Sequence, residues 1–77
     1  MNKDRRSRLE DCLEKLQEVQ NELQSIKNEE QEAFENMPES FQYSERGDRM
    51  QENVDNLESI DSDLYTVISD LEDVIHA

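Results

Sequence analysis

Apolar residues along the chain fall into two helical rows separated by one interruption. In the first row, Leu9, Cys12, Leu16, Val19, Leu23, Ile26, Glu30, Ala33 and Met37 recur at alternating steps of three and four. That is the spacing of an a/d heptad seam with one polar lapse, at Glu30. Leu13 and Phe34 widen the stripe slightly, and the flanking Glu, Gln, Lys and Asn suit the wet face of a helix. The pattern predicts a first helix over about residues 4–36.

The interruption is Asn36-Met37-Pro38. Asn tolerates the left-handed conformation that ends helices, and Pro follows such ends because it cannot continue them. Pro38 also pushes Met37 out of the helical region. A connector over about residues 37–44 has room for a short helical turn starting at Pro38. Ser44 reads as an N-cap, with Glu45 and Asp48 placed to suit the positive end of a helix. Gly47 falls in that first turn and blurs the boundary. A second helix over about residues 45–76 then carries Met50, Val54, Leu57, Asp61, Leu64, Ile68, Leu71 and Ile75 at the same rhythm. A third row, Ile60, Val67 and Val74, accompanies it. A stripe two positions wide suits one partner helix, whereas three suit a bundle. Val54, Leu57, Ile60, Leu64, Val67, Ile68, Leu71 and Val74 are therefore the residues expected to drive self-association.

Two helices of similar length with a short connector imply an antiparallel αα-hairpin. Charge placement argues for the same arrangement. Lys3, Arg5, Arg6 and Arg8 crowd the start of the first helix, and Asp70, Glu72 and Asp73 crowd the end of the second. Each cluster opposes its own helix dipole, yet the two meet in a hairpin. Folding back at the connector gives facing positions whose numbers total about 81. Leu9 then faces Leu71, Cys12 Ile68, Leu16 Leu64, Leu23 Leu57 and Ile26 Val54. Asp61 lands opposite Val19, and Glu30 lies close to Arg49. The expected fold class is all-α: one coiled-coil-like antiparallel hairpin spanning residues 1–77 that dimerises into a four-helix bundle.

Composition narrows the partners. The 77 residues are 32% hydrophobic and 38% charged, with 21 acids against 8 bases and a net charge of −13. A chain this small buries only roughly 60% of its unfolded surface, and the single Cys12 has no intramolecular disulfide partner. A substrate-enclosing enzyme, a disulfide scaffold and a membrane-spanning protein are all poor fits. The sequence Met1-Asn2-Lys3-Asp4-Arg5-Arg6 leads into no apolar stretch, so no signal peptide is expected and a reducing cytoplasm fits. A pI near 4.2 opposes direct binding of nucleic acid or of an anionic membrane. It favours a basic protein, or the nucleic-acid groove of one.

Candidate chemistry is sparse. Asp61 breaks the apolar row, which either specifies register, as single polar seam residues can, or offers a contact to a partner or ion. Asp61-Ser62-Asp63 opens like a calcium loop but lacks the Gly and Glu that complete one. His76 shares a helical face with Glu72 and Asp73, yet a di-iron bundle needs two Glu-x-x-His motifs and further inward Glu. Cys12 has no nearby His to activate it, and Gly47 alone makes no phosphate loop. No catalytic, cofactor or metal residue is expected. The basic start carries +3 over residues 1–8 and leaves −16 for the rest. After Arg49 come eight acids and no Lys or Arg. Among them Glu52, Asp55, Glu58 and Asp63 are either a solvated surface or one that occupies a basic protein's nucleic-acid groove. In and beside the connector, Phe41, Tyr43 and Arg46 either close the open end of the hairpin or anchor a partner.

The connector and its flanks carry a resemblance. Glu29-Glu30-Gln31-Glu32-Ala33-Phe34-Glu35-Asn36-Met37-Pro38-Glu39-Ser40, followed by Ser44-Glu45-Arg46-Gly47, resembles a group of small acidic proteins of bacteria, their phages and prophages. These share a basic start, a Glu-rich helix, an Asn-Leu-Pro-Glu-Ser-like turn and a second acidic helix, with Met37 here where Leu is more usual. No established activity comes with the group. It implies a bacterial host cytoplasm and an accessory role. The expected function is a non-catalytic protein–protein interaction module that binds itself. The alternative is an inhibitor that imitates nucleic-acid charge and blocks a basic host or defence enzyme.

Overall fold

The computed structural model describes all 77 residues as three helices: α1 (Lys3–Glu35), α2 (Glu39–Gln42) and α3 (Glu45–Ile75). Asn2 caps α1, its side chain accepting from the Arg5 amide at 2.9 Å. Ser44 caps α3, accepting from the Gly47 amide at 3.3 Å. Between them Pro38 starts the one-turn helix α2, whose Phe41 and Gln42 amides donate to the Pro38 carbonyl. Asn36 does not adopt the expected left-handed conformation: its φ is −84° and no residue has a positive φ. The end of α1 is closed from outside instead. Gln42 Nε2 reaches back to the carbonyl oxygens of Met37, Phe34 and Glu35 at 3.1, 3.3 and 3.4 Å, satisfying acceptors that a helix end leaves open.

Helices α1 and α3 lie antiparallel along a body 59 Å long. Polar pairs across the seam fix the register: Gln24 with Asp61 (3.0 Å), Lys27 with Glu58 (3.9 Å) and Glu30 with Asn53 (2.9 Å). Their numbers total 85, 85 and 83, so facing positions total about 84, not 81. Asp61 therefore lies level with Leu23 and not Val19. Glu30 is met by Asn53 and not by Arg49, which pairs with Glu45 of its own helix at 4.0 Å.

The seam of α3 is the one the spacing predicts. Val54, Ile68 and Ile75 are buried, and Met50, Leu57, Asp61, Leu64 and Leu71 are half-buried. The seam of α1 is not. Leu9, Leu16, Leu23 and Glu30 face inward as expected, but the companion row is Leu13, Gln20, Lys27 and Phe34, all half-buried. Cys12, Val19, Ile26 and Ala33 lie outside it, with Val19 50% and Ile26 42% exposed. A step of four from each shared position replaces the step of three, rotating the buried stripe by about half its width.

The result is a thin core. Only Gly47, Val54, Ile68 and Ile75 are buried. The accessible surface is 5886 Å², about 1,000 Å² more than the ~4,900 Å² of a compact monomer of 9.1 kDa. The radius of gyration, 17.5 Å, likewise exceeds the ~11.5 Å of a compact chain of this length.

Candidate functional site

The displaced apolar row of α1 is not isolated. Ile26 of α1 lines one open groove of about 500 Å³ together with Asn53, Asn56 and Leu57 of α3, so these residues share an edge of the hairpin. Asn53 begins the row that continues every seven residues through Ile60, Val67 and Val74, which are 48%, 50% and 47% exposed. With facing positions totalling about 84, the residue of this row nearest in height to Ile26 is Ile60, to Val19 it is Val67 and to Cys12 it is Val74, each about two residues off level. The product is an apolar ladder of three rungs along one edge. Lys27–Glu58 and Gln24–Asp61 lie along the other edge, which is polar.

Eight residues of α3 are expected from the sequence to drive self-association, and they divide sharply. Val54 and Ile68 are already buried, and Leu57, Leu64 and Leu71 pack in the seam, leaving Ile60, Val67 and Val74 on the free edge. Cys12, Val19 and Ile26, which pattern reading assigns to the interior, are their counterparts.

Charge is segregated to match. The two edge rows hold Arg5, Cys12, Val19, Ile26 and Ala33 on α1, and Arg46, Asn53, Ile60, Val67 and Val74 on α3, with none of the chain's 21 acids. Next outward come Arg8, Lys15, Glu22 and Glu29 on α1, and Arg49, Asn56, Asp63 and Asp70 on α3, all exposed. This side of the hairpin carries five bases and four acids, a net of +1, so −14 of the −13 total lies elsewhere. Glu52, Asp55 and Glu58 are exposed and belong to the acidic remainder, whereas Asp63 borders the apolar edge.

The expected meeting of basic and acidic chain ends gives no direct pairs. Arg8 binds Asp4 within α1 at 3.2 Å, and the one cross-helix ion pair is Lys27–Glu58. Arg6 Nε is shielded without a hydrogen-bond partner. Phe41 and Tyr43 are 57% and 80% exposed and Arg46 is exposed, so the connector aromatics do not close the hairpin core. His76, the C-cap of α3, is exposed, and no group of three or more His, Cys, Asp or Glu side chains is arranged to hold a metal. No helix is long and apolar enough to cross a membrane. Comparison with family models, with curated proteins and with solved structures gives no match.

Proposed function

We propose that the chain is a non-catalytic protein–protein interaction module that associates with itself into a dimeric four-helix bundle. The observation that supports this reading most is the apolar ladder, half-exposed side chains in register on both helices with no acid among them. A hairpin whose interior admits Gln20, Lys27, Glu30 and Asp61 gains little from its own seam, since unpaired or imperfectly paired polar groups offset burial. Covering the ladder adds the missing apolar contact. In keeping with the sequence resemblance, we read the protein as an accessory factor of a bacterial cell or its phages, acting in the cytoplasm.

Sedimentation equilibrium at micromolar concentration tests self-association: a mass twice 9.1 kDa is expected, and a folded monomer rules it out.

The charge segregation favours a second activity of the same bundle. With the edges joined, the −14 of each hairpin faces outward, a surface that would attract the nucleic-acid groove of a basic protein. Capture of such a protein from bacterial lysate at low salt, lost at high salt and lost when Glu52, Asp55 and Glu58 are changed to Lys, is the expected outcome. Capture that survives the charge reversals removes the nucleic-acid-imitation reading and leaves the bundle.

A further inference from the structure

We propose that the partner copy covers the ladder in antiparallel order, about a twofold axis passing between Val19 and Val67, so that a basic groove of each protomer seats on an acidic groove of the other. This rests on the self-association reading above and adds which face is used and which way the second copy runs.

Size permits it. From Cys12 to Ala33 the edge is about 32 Å long and two helices are about 20 Å wide. That amounts to roughly 1,300 Å² over both protomers, above the ~1,000 Å² that a specific interface needs. Charge permits it too, because this is the neutral side of a strongly acidic chain.

Two features, which share Arg8 and Glu29, select the direction. The row bordering the ladder on α1 reads Arg8, Lys15, Glu22, Glu29, two bases followed by two acids. An antiparallel copy centred on Val19 sets Lys15 against the partner's Glu22 and Arg8 against the partner's Glu29. Counting both copies, that is four opposite-charge pairs on α1, against two like-charge pairs of Asp63 with the partner's Asp70 on α3. A parallel copy instead sets α1 on the partner's α3. Lys15 then meets the partner's Asp70, but Glu22 meets the partner's Asp63, and the two effects cancel.

The grooves point the same way. The one near the connector carries Glu29 and Glu30, and a second, of about 320 Å³ near the chain ends, carries Arg5 and Arg8 beside Leu9 and Cys12. They lie at nearly equal distances in sequence from Val19, on opposite sides of it. The antiparallel twofold superposes basic on acidic, whereas the parallel one sets acidic on acidic and basic on basic. Apolar rungs fit throughout: Val19 meets the partner's Val19, Cys12 the partner's Ile26, and Ile60 the partner's Val74.

Four measurements on the full chain test this. A monomer in sedimentation overturns the self-association reading itself. Given a dimer, Val19→Asn with Val67→Asn is expected to weaken it about tenfold or more, while Gln17→Asn with Tyr65→Asn, on the opposite edge, leaves the equilibrium in place; the reverse result overturns the choice of face. Lys15→Glu should also weaken the dimer and Glu22→Lys in the same chain should restore it, and neither exposed change threatens the helix. For direction, spin labels on Ser40→Cys in a Cys12→Ser background should lie more than about 50 Å apart, because antiparallel order sends the connectors to opposite ends. Labels within about 30 Å overturn the antiparallel arrangement and leave the dimer.

Discussion

Adding one methyl group at Gly47 tests how the hairpin turns. Gly47 is buried in the first turn of α3, and its φ is not positive, so conformational freedom is not why it is glycine. A Cβ built there lies 2.6 Å from the Gln42 carbonyl carbon and 2.8 Å from the Phe41 carbonyl oxygen, and nearer still to the Gln42 oxygen. All three are backbone atoms and cannot swing aside. Helix propensity alone would make Gly47→Ala stabilising by about 1 kcal/mol. Against that stand overpacking, typically ~1–3 kcal/mol, and loss of the Gln42 side-chain bonds to α1 once α2 moves, about 1 kcal/mol. The net expectation is destabilisation by about 2 kcal/mol, which for a domain of this size lowers Tm by roughly 8–16 °C. Helicity at 222 nm, followed through thermal unfolding at one fixed protein concentration, reads the effect, with exposed Ser59→Ala as the control. A Tm at or above the wild-type value would show that α2 does not press on α3 as described.

Other perturbations follow from the same geometry. Gln42→Ala removes the side chain that bonds two α1 carbonyls and that of Met37 just beyond and should lower Tm by about 4–8 °C; no change would mean that water serves those carbonyls equally well. Asp61→Leu exchanges a half-buried carboxylate, bonded to Gln24, for an apolar seam residue. It should raise Tm by about 4–8 °C, and a fall would assign Asp61 a stabilising role in place of a register-setting one. Glu58→Gln breaks an ion pair whose acid is 66% exposed, so calorimetry should find Tm moved by no more than about 4 °C; a larger drop would contradict its surface character.

Element boundaries were largely legible because their signals are local. Pro38 and the Ser44 cap act within a few residues, and the expected helices differ from those observed by a residue or so at most ends. The α3 seam is legible because Met50, Leu57, Leu64 and Leu71 repeat every seven residues without a lapse, with Val54, Ile68 and Ile75 four residues after Met50, Leu64 and Leu71. In α1 two continuations compete. The step of three yields Cys12, Val19, Ile26 and Ala33, and the step of four yields Leu13, Gln20, Lys27 and Phe34. Counting apolar positions selects the first, and the fold uses the second. With that phase the register moves from about 81 to about 84, which sets the observed partners of Asp61 and Glu30. Gln42 leaves no signal in the sequence, because a side chain capping a helix eight residues upstream obeys no short spacing rule. The ladder has no sequence signal of its own for a related reason: it depends on both the phase of α1 and the register of the two helices.

The phase chosen by α1 has a physical logic that the isolated hairpin hides. Within one hairpin, leaving Val19 and Ile26 half exposed forgoes roughly 1 kcal/mol each, while Gln20 and Lys27 enter the seam. With the alternative phase those two valuable side chains would be buried. Leu13 and Phe34 would then lie on one edge, with Ile60, Val67 and Val74 on the other, two poor strips on opposite sides. The observed phase gathers the surplus of both helices onto one edge, in two rows that themselves contain no acid. Polar residues in the seam weaken the hairpin, and apolar residues on a shared edge form the face that the proposed second copy would cover, so a single rotation of α1 accounts for both. If the ladder is what this rotation serves, moving apolar content inward should decouple folding from association. Gln20→Leu with Lys27→Leu should raise hairpin stability, and adding Val19→Gln and Ile26→Gln should give a folded monomer, seen as full helicity at a sedimentation mass near 9.1 kDa. A four-residue variant that still dimerises as tightly as the wild type would remove the link between α1 phase and assembly.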